Sequence, residues 1–99
     1  VSTAPPRFTR HLREYTVCLD TVEFLPWWNR QQELTIVRIS IIYRLDEIRD
    51  RWVWHRTIVY AMKSNGFTAQ IRWYPKSKLE RVPSWLYDLV DEHEPKMGA

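Results

Sequence analysis

Residues 33–74 decide the fold: ELTIVRISIIYRLD (33–46), EIRD (47–50), RWVWHRTIVYAMK (51–63), SNG (64–66) and FTAQIRWY (67–74). The first long segment carries Thr35, Val37, Ile39, Ile41, Tyr43 and Leu45 on odd positions. The second carries Trp52, Trp54, Arg56, Ile58, Tyr60 and Met62 on even positions. Alternation with a period of two, rich in β-branched and aromatic residues, is the pattern of a strand with one buried face. The third segment continues it, with Phe67, Ala69, Ile71 and Trp73 on one side.

The intervening turns set a register. A four-residue polar loop at 47–50 pairs Asp46 with Arg51, Leu45 with Trp52, Tyr43 with Trp54 and Ile39 with Ile58. Asn65-Gly66 is a strong hairpin signal, because both central residues of the tightest turn must tolerate positive φ. With that pair at the tip, Ser64 meets Phe67, Met62 meets Ala69, Tyr60 meets Ile71 and Ile58 meets Trp73. Both turns then place every apolar set on one side of the sheet, an agreement that a slip of one residue breaks.

Outward from this meander, the C-terminal segment supplies a cover. Pro83 opens a helix and Ser84 is placed to cap it. Val82, Trp85, Leu86, Leu89 and Val90 form the apolar stripe, Asp88, Asp91 and Glu92 face water, and Pro95 ends the element. Toward the N-terminus the periodicity is mixed. A short helical turn followed by a strand near 14–24 is expected, with residues 26–32 as a connection begun by Pro26. Residues 1–6, with Pro5 and Pro6, read as a disordered leader, and 94–99 as a frayed tail. The expectation is a single α+β domain over 1–99: an antiparallel meander of three or four strands with a C-terminal helix packed on one face.

Composition agrees with one compact core. The chain has 99 residues, 44% of them hydrophobic, and its six tryptophans set it apart from disordered sequences. No apolar run approaches the roughly 20 residues of a membrane helix, and residues 1–7 lack a signal-peptide stretch. Cys18 is the single cysteine, which excludes an intrachain disulfide and multi-cysteine zinc patterns. These features point to a cytoplasmic setting. A net charge of +3 permits a polyanionic partner without demanding one.

The same register defines the opposite face. It carries Arg38, Ser40, Arg44, His55, Thr57, Val59, Lys63, Gln70, Arg72 and Tyr74, with Ile36, Ile42 and Val53 among them. Arg38 and Arg72 flank Val59 in one row, and carboxylates are missing apart from Asp46 at the rim. A one-signed face suits docking on carboxylate or phosphate, both of which the planar guanidinium bonds in a bidentate way. Trp27, Trp28 and Arg30 form a Trp-Arg loop with the side chains typical of interface anchors. The expected binding residues are therefore Arg38, Arg44, His55, Lys63, Arg72, Tyr74, Trp27, Trp28 and Arg30.

Other constellations carry less. Arg56 falls on the apolar face and calls for Asp88 or Asp91 of the helix as a structural partner. His55 among the arginines permits a metal-independent ribonuclease site, though no spacing is diagnostic. The carboxylates from Asp88 to Glu94 read as a solvated helix face, not a metal site. Cys18 has no nucleophile motif, and Gly-rich phosphate loops are absent. The expectation is a non-enzymatic binding protein without cofactor, docking a protein with an acidic patch. Its size and lack of motif suit a phage or mobile-element inhibitor of a host protein. The alternatives are a nucleic-acid backbone binder and the ribonuclease. Self-association of the acidic helix with the basic face, as a homo-oligomer, is a further expectation.

Overall fold

In the computed structural model, residues 2–3, 5–27, 30–76 and 82–95 are described. The strands are β1 (Ser2–Thr3), β2 (Arg7–Phe8), β3 (Leu12–Trp27), β4 (Arg30–Asp46), β5 (Arg51–Met62) and β6 (Thr68–Trp73), followed by α1 (Ser84–His93). All pairings are antiparallel, in the order β1-β3-β4-β5-β6, with β2 beside β1 along the same edge of β3. The sheet is thus five strands wide, its first edge strand broken between Thr3 and Arg7. The exposed Pro5 and Pro6 occupy that break, where a residue without an N–H interrupts pairing at an edge.

Five strands replace the three or four expected, and the difference lies at the N-terminus. Among the described residues no helical turn precedes β3; the segment expected as leader and turn pairs with β3 through Ser2↔Cys18 and Arg7↔Glu14. Pro26 does not end β3 either, since it pairs with Gln31 and the strand continues to Trp27. Beyond Cys18, among the described residues, nothing pairs with β3 on the side away from β4. A proline with its nitrogen toward that open edge costs no ladder bond.

The sheet curls into a half-barrel around α1. Its inner face carries Leu25, Leu34, Ile36, Ile39, Ile41, Tyr43, Trp52, Val59, Ala61, Ile71 and Trp73 against Val82, Leu86 and Val90. Burying one such aliphatic side chain contributes roughly 1.5–3 kcal/mol, and this apolar contact is what fixes the helix on the sheet. Asp88, Asp91 and Glu92 point to solvent as expected. Ser84 is the first helical residue and not a cap: Pro83 holds the N-cap position, with no side-chain hydrogen bond. At the other end, the buried Tyr43 hydroxyl donates to the Val90 carbonyl. That carbonyl belongs to the last turn, which has no partner within the helix. Burial, then the Glu94, Tyr15 and Asp91 charges, push the Tyr43 phenol above its ordinary pKa.

The register departs from expectation in the middle of the meander. Asp46↔Arg51, Leu45↔Trp52 and Tyr43↔Trp54 form as expected, but Ile42 then pairs with Arg56, leaving His55 as an extra residue in β5. This is a β-bulge, and it reverses the faces of everything that follows on β5. Thr57, Val59 and Ala61 turn inward; Arg56, Ile58, Tyr60 and Met62 turn outward. A second bulge leaves Val37 unpaired in β4, so Leu34 and Ile36 enter the core in place of Thr35 and Val37. Leu19 and Asp20 lie opposite Val37 in β3, where that ladder also shifts.

The β5–β6 turn moves by one residue as well. It is a three-residue loop, Ser64–Gly66, closed by Lys63 N–H donating to the Phe67 carbonyl at 2.8 Å and Gly66 N–H to the Lys63 carbonyl at 2.9 Å. Gly66 has φ 89°, whereas Asn65 keeps negative φ. The two-residue turn needs positive φ at both positions; a glycine-bulge loop needs it only at the glycine. Phe67 therefore closes the loop opposite Lys63 and is exposed. Val59 pairs with Ile71 and Ala61 with Ala69. The bulge at His55 and the displaced turn cancel, so Ala69, Ile71 and Trp73 still face the core.

Candidate docking face

The outer face is assembled from cross-strand rows. Cys18, Arg38, Tyr60 and Gln70 form one, and Thr16, Ser40, Ile58 and Arg72 the next. Glu14, Ile42 and Arg56 form a third, and Leu12, Arg44 and Val53 a fourth toward the 47–50 hairpin. In the opposite direction, Val22, Thr35, Met62 and Thr68 share a row, with Phe24 and Glu33 beyond it. Ser40, Ile42 and Ile58 are buried beneath the longer side chains around them.

Several expected features change here. Thr57, Val59 and Ile36 belong to the core and not to this face. Arg38 and Arg72 stand in adjacent rows, not on either side of Val59. The face is not one-signed, because β3 and β4 bring Glu14 and Glu33 onto it. Arg56 needs no helix carboxylate, since the bulge carries it to the outer side; no ion pair links it to Asp88 or Asp91 among the described residues. Its Nε is buried without a hydrogen-bond partner.

Nine expected binding residues separate into groups. Arg38 on the central β4 and Arg72 on the edge strand β6 are both exposed: the Arg38 guanidinium sits 4.1 Å from the Tyr60 ring centroid, and Arg72 Nη2 donates to Gln70 Oε1 at 3.5 Å. Arg44, His55 and Tyr74 gather near the 47–50 hairpin, lining an open cleft of about 540 Å³ with Trp54, Pro75 and Lys76. At the far end, Lys63 places Nζ 5.4 Å from the Trp27 ring centroid, and Arg30 is exposed at the start of β4. Trp28 lies outside the described residues.

The structure adds residues that sequence reasoning passed over. Val22, Phe24 and Met62 are 58%, 68% and 39% exposed on this same face. Tyr60 joins them under Arg38. One signal in the sequence pointed there: an arginine at position 56 on an otherwise apolar alternation marks a place where the alternation breaks.

Among the described residues no group of three or more His, Cys, Asp and Glu side chains is placed to hold a metal ion. His93 Nδ1 lies 2.9 Å from the Leu89 carbonyl, and Arg13 is held between the Phe8 and Trp52 rings at 4.5 and 4.7 Å. Among the described residues no helix is long and apolar enough to cross a membrane. No family model, curated protein or solved structure matches the chain.

Proposed function

We propose that this is a non-enzymatic binding protein that docks a second protein on the outer face of its sheet. The observation that supports the reading is the company Arg38 keeps: it is stacked on Tyr60, beside the exposed Val22, Phe24 and Met62. Exposed aromatic, Met and Arg side chains in one patch are the composition of protein interfaces, where they carry most of the binding energy. The surplus of arginines over Glu14 and Glu33 selects a partner with an acidic patch. It acts by occupying that partner's surface, as an inhibitor of the phage or mobile-element type does.

The same mixture argues against a nucleic-acid backbone as the main partner. A phosphate-tracking face gains nothing from exposed Val22 and Phe24 and is opposed by carboxylates. Affinity capture from host extract tests the choice. The wild-type chain is expected to retain a protein that the Phe24→Asp/Arg38→Glu variant loses by at least about tenfold. Equal recovery by both refutes the docking face, and retention of nucleic acid alone favours the backbone reading.

A further inference from the structure

The second half of β3 is an open strand edge that also borders a cleft on the helix side of the sheet. Beyond Cys18, among the described residues, β3 has no neighbour on the side away from β4. Pro26 pairs with Gln31 but has no N–H to donate, which suits a non-hydrogen-bonded position of the ladder. Phe24 and Val22 share its parity in the unbroken register from Thr21 to Trp27, so their N–H and C=O groups point away from β4. Both residues are exposed. An edge of this kind is a template for a further strand. β1 and β2 already add to β3 in this way, and a strand along residues 19–27 continues their line.

The helix side of the same segment selects the charge of that strand. Leu19 and Glu23 of β3 face Trp85, Asp88, Leu89 and Glu92 of α1 across a cleft of about 280 Å³. Leu19, Trp85 and Leu89 are half-buried against the core and give it an apolar floor. Asp88 and Glu92, four residues apart on one helix face, join Glu23 at its rim. No cation is among the described lining residues, and none of these three carboxylates has an ion pair among the described residues. Nor are they placed to hold a metal ion. A strand laid on the β3 edge sends alternate side chains into the cleft. A Lys or Arg stem fits along the apolar floor while its charged head reaches the carboxylates. A second copy is a poor occupant, because two such edges bring Asp20 and Glu23 of each chain together.

We infer that the open edge of β3 receives an extended basic segment of a partner protein as an added strand, with its Lys or Arg side chains between β3 and α1. The main-chain ladder with Val22 and Phe24 holds the segment, and Glu23, Asp88 and Glu92 choose its charge. This site does not rest on the outer-face reading.

Amide hydrogen exchange followed by nuclear magnetic resonance tests it, with a blocked octapeptide of alternating valine and lysine as the probe. The Val22 and Phe24 amides are expected to exchange fast in the free chain and at least about tenfold more slowly with saturating peptide. The matching valine–glutamate peptide is expected to leave them unchanged. Asp88→Lys/Glu92→Lys, at exposed helix positions, is expected to weaken the lysine peptide by at least about tenfold. Unchanged exchange at about 1 mM lysine peptide, or equal affinity in wild type and variant, overturns the inference. Protection of both amides without peptide overturns it too, and if that protection grows with protein concentration the occupant is a second copy. The substituted side chains lie on the helix side of the sheet, away from Arg38 and Tyr60, so this site and the docking face fail separately.

Discussion

The two halves of β5 obey opposite rules. From Arg51 to Trp54 the even positions face the helix; from Arg56 to Met62 the odd positions do. One inserted residue, His55, separates them. The first half forms a hairpin whose pairing follows from its loop, and it borders a cleft. The second half presents Ile58, Tyr60 and Met62 outward beside Arg38, and it borders an open patch. An alternation therefore carries information only as far as the next bulge, and a bulge changes which side chains are exposed as well as which are packed.

Substitution in the second half breaks this contrast most severely. Val59 is fully buried, so Val59→Asp places a carboxylate in the core and is expected to cost more than about 4 kcal/mol, which leaves the domain largely unfolded. Tyr60→Asp, one residue on, is expected to cost under about 1 kcal/mol in urea denaturation. Reversed sensitivities mean that the bulge is misplaced.

The turn that closes the second half is the next target. Gly66→Ala meets no atom within 4 Å of the added Cβ, so its cost comes from φ 89° alone. Thermal melts are expected to show about 1–2 kcal/mol of destabilisation. No loss at all means that position 66 does not hold the positive φ that closes this loop.

Tyr43 of β4, paired with Trp54 of the first half, tests the clamp between sheet and helix. Tyr43→Phe leaves the Val90 carbonyl without its donor and is expected to cost about 1 kcal/mol. The phenol titrates above its ordinary value in the fold. Between the unfolded pKa, about 10, and the raised folded one, the unfolded chain binds fewer protons. Stability present below pH ~10 is therefore lost as pH rises further. The Phe variant is expected to lose stability less steeply there; parallel curves contradict a shielded hydroxyl.

The smallest effect is expected from deleting His55. Tyr43↔Trp54 and Ile42↔Arg56 are consecutive on β4, so removal leaves an unbroken ladder with every later face unchanged. Stability is expected to stay within about 1 kcal/mol in urea denaturation. A collapse of the fold shows that the curl of the sheet depends on the bulge.

Much of the architecture was legible before any coordinates. The 47–50 loop, the antiparallel order of β4, β5 and β6, and the helix stripe through Leu86 and Val90 all follow from periodicity and turn chemistry. The bulges were not legible, because their signal is a single displaced residue in a run where both faces carry apolar side chains. Ile41 and Ile42, or Ile58 and Val59, satisfy either parity. β3 hid for the same reason: Val22 and Phe24 lie outside while Leu25 lies inside. The inward side of β6 came out correctly through two cancelling displacements. Of the expected site, Arg38, Arg44 and Arg72 lie on the outer face. Lys63 is turned to Trp27, and Tyr60 was assigned inward.

The most direct measurement is the set of nuclear Overhauser contacts between β5 and β6. The bulged register requires backbone cross-strand contacts of Val59 with Ile71 and of Ala61 with Ala69, and none that pair Tyr60 with Ile71. Observation of Tyr60–Ile71 and Met62–Ala69 contacts instead returns Arg56 and Tyr60 to the core side and removes the patch on which the proposed function stands.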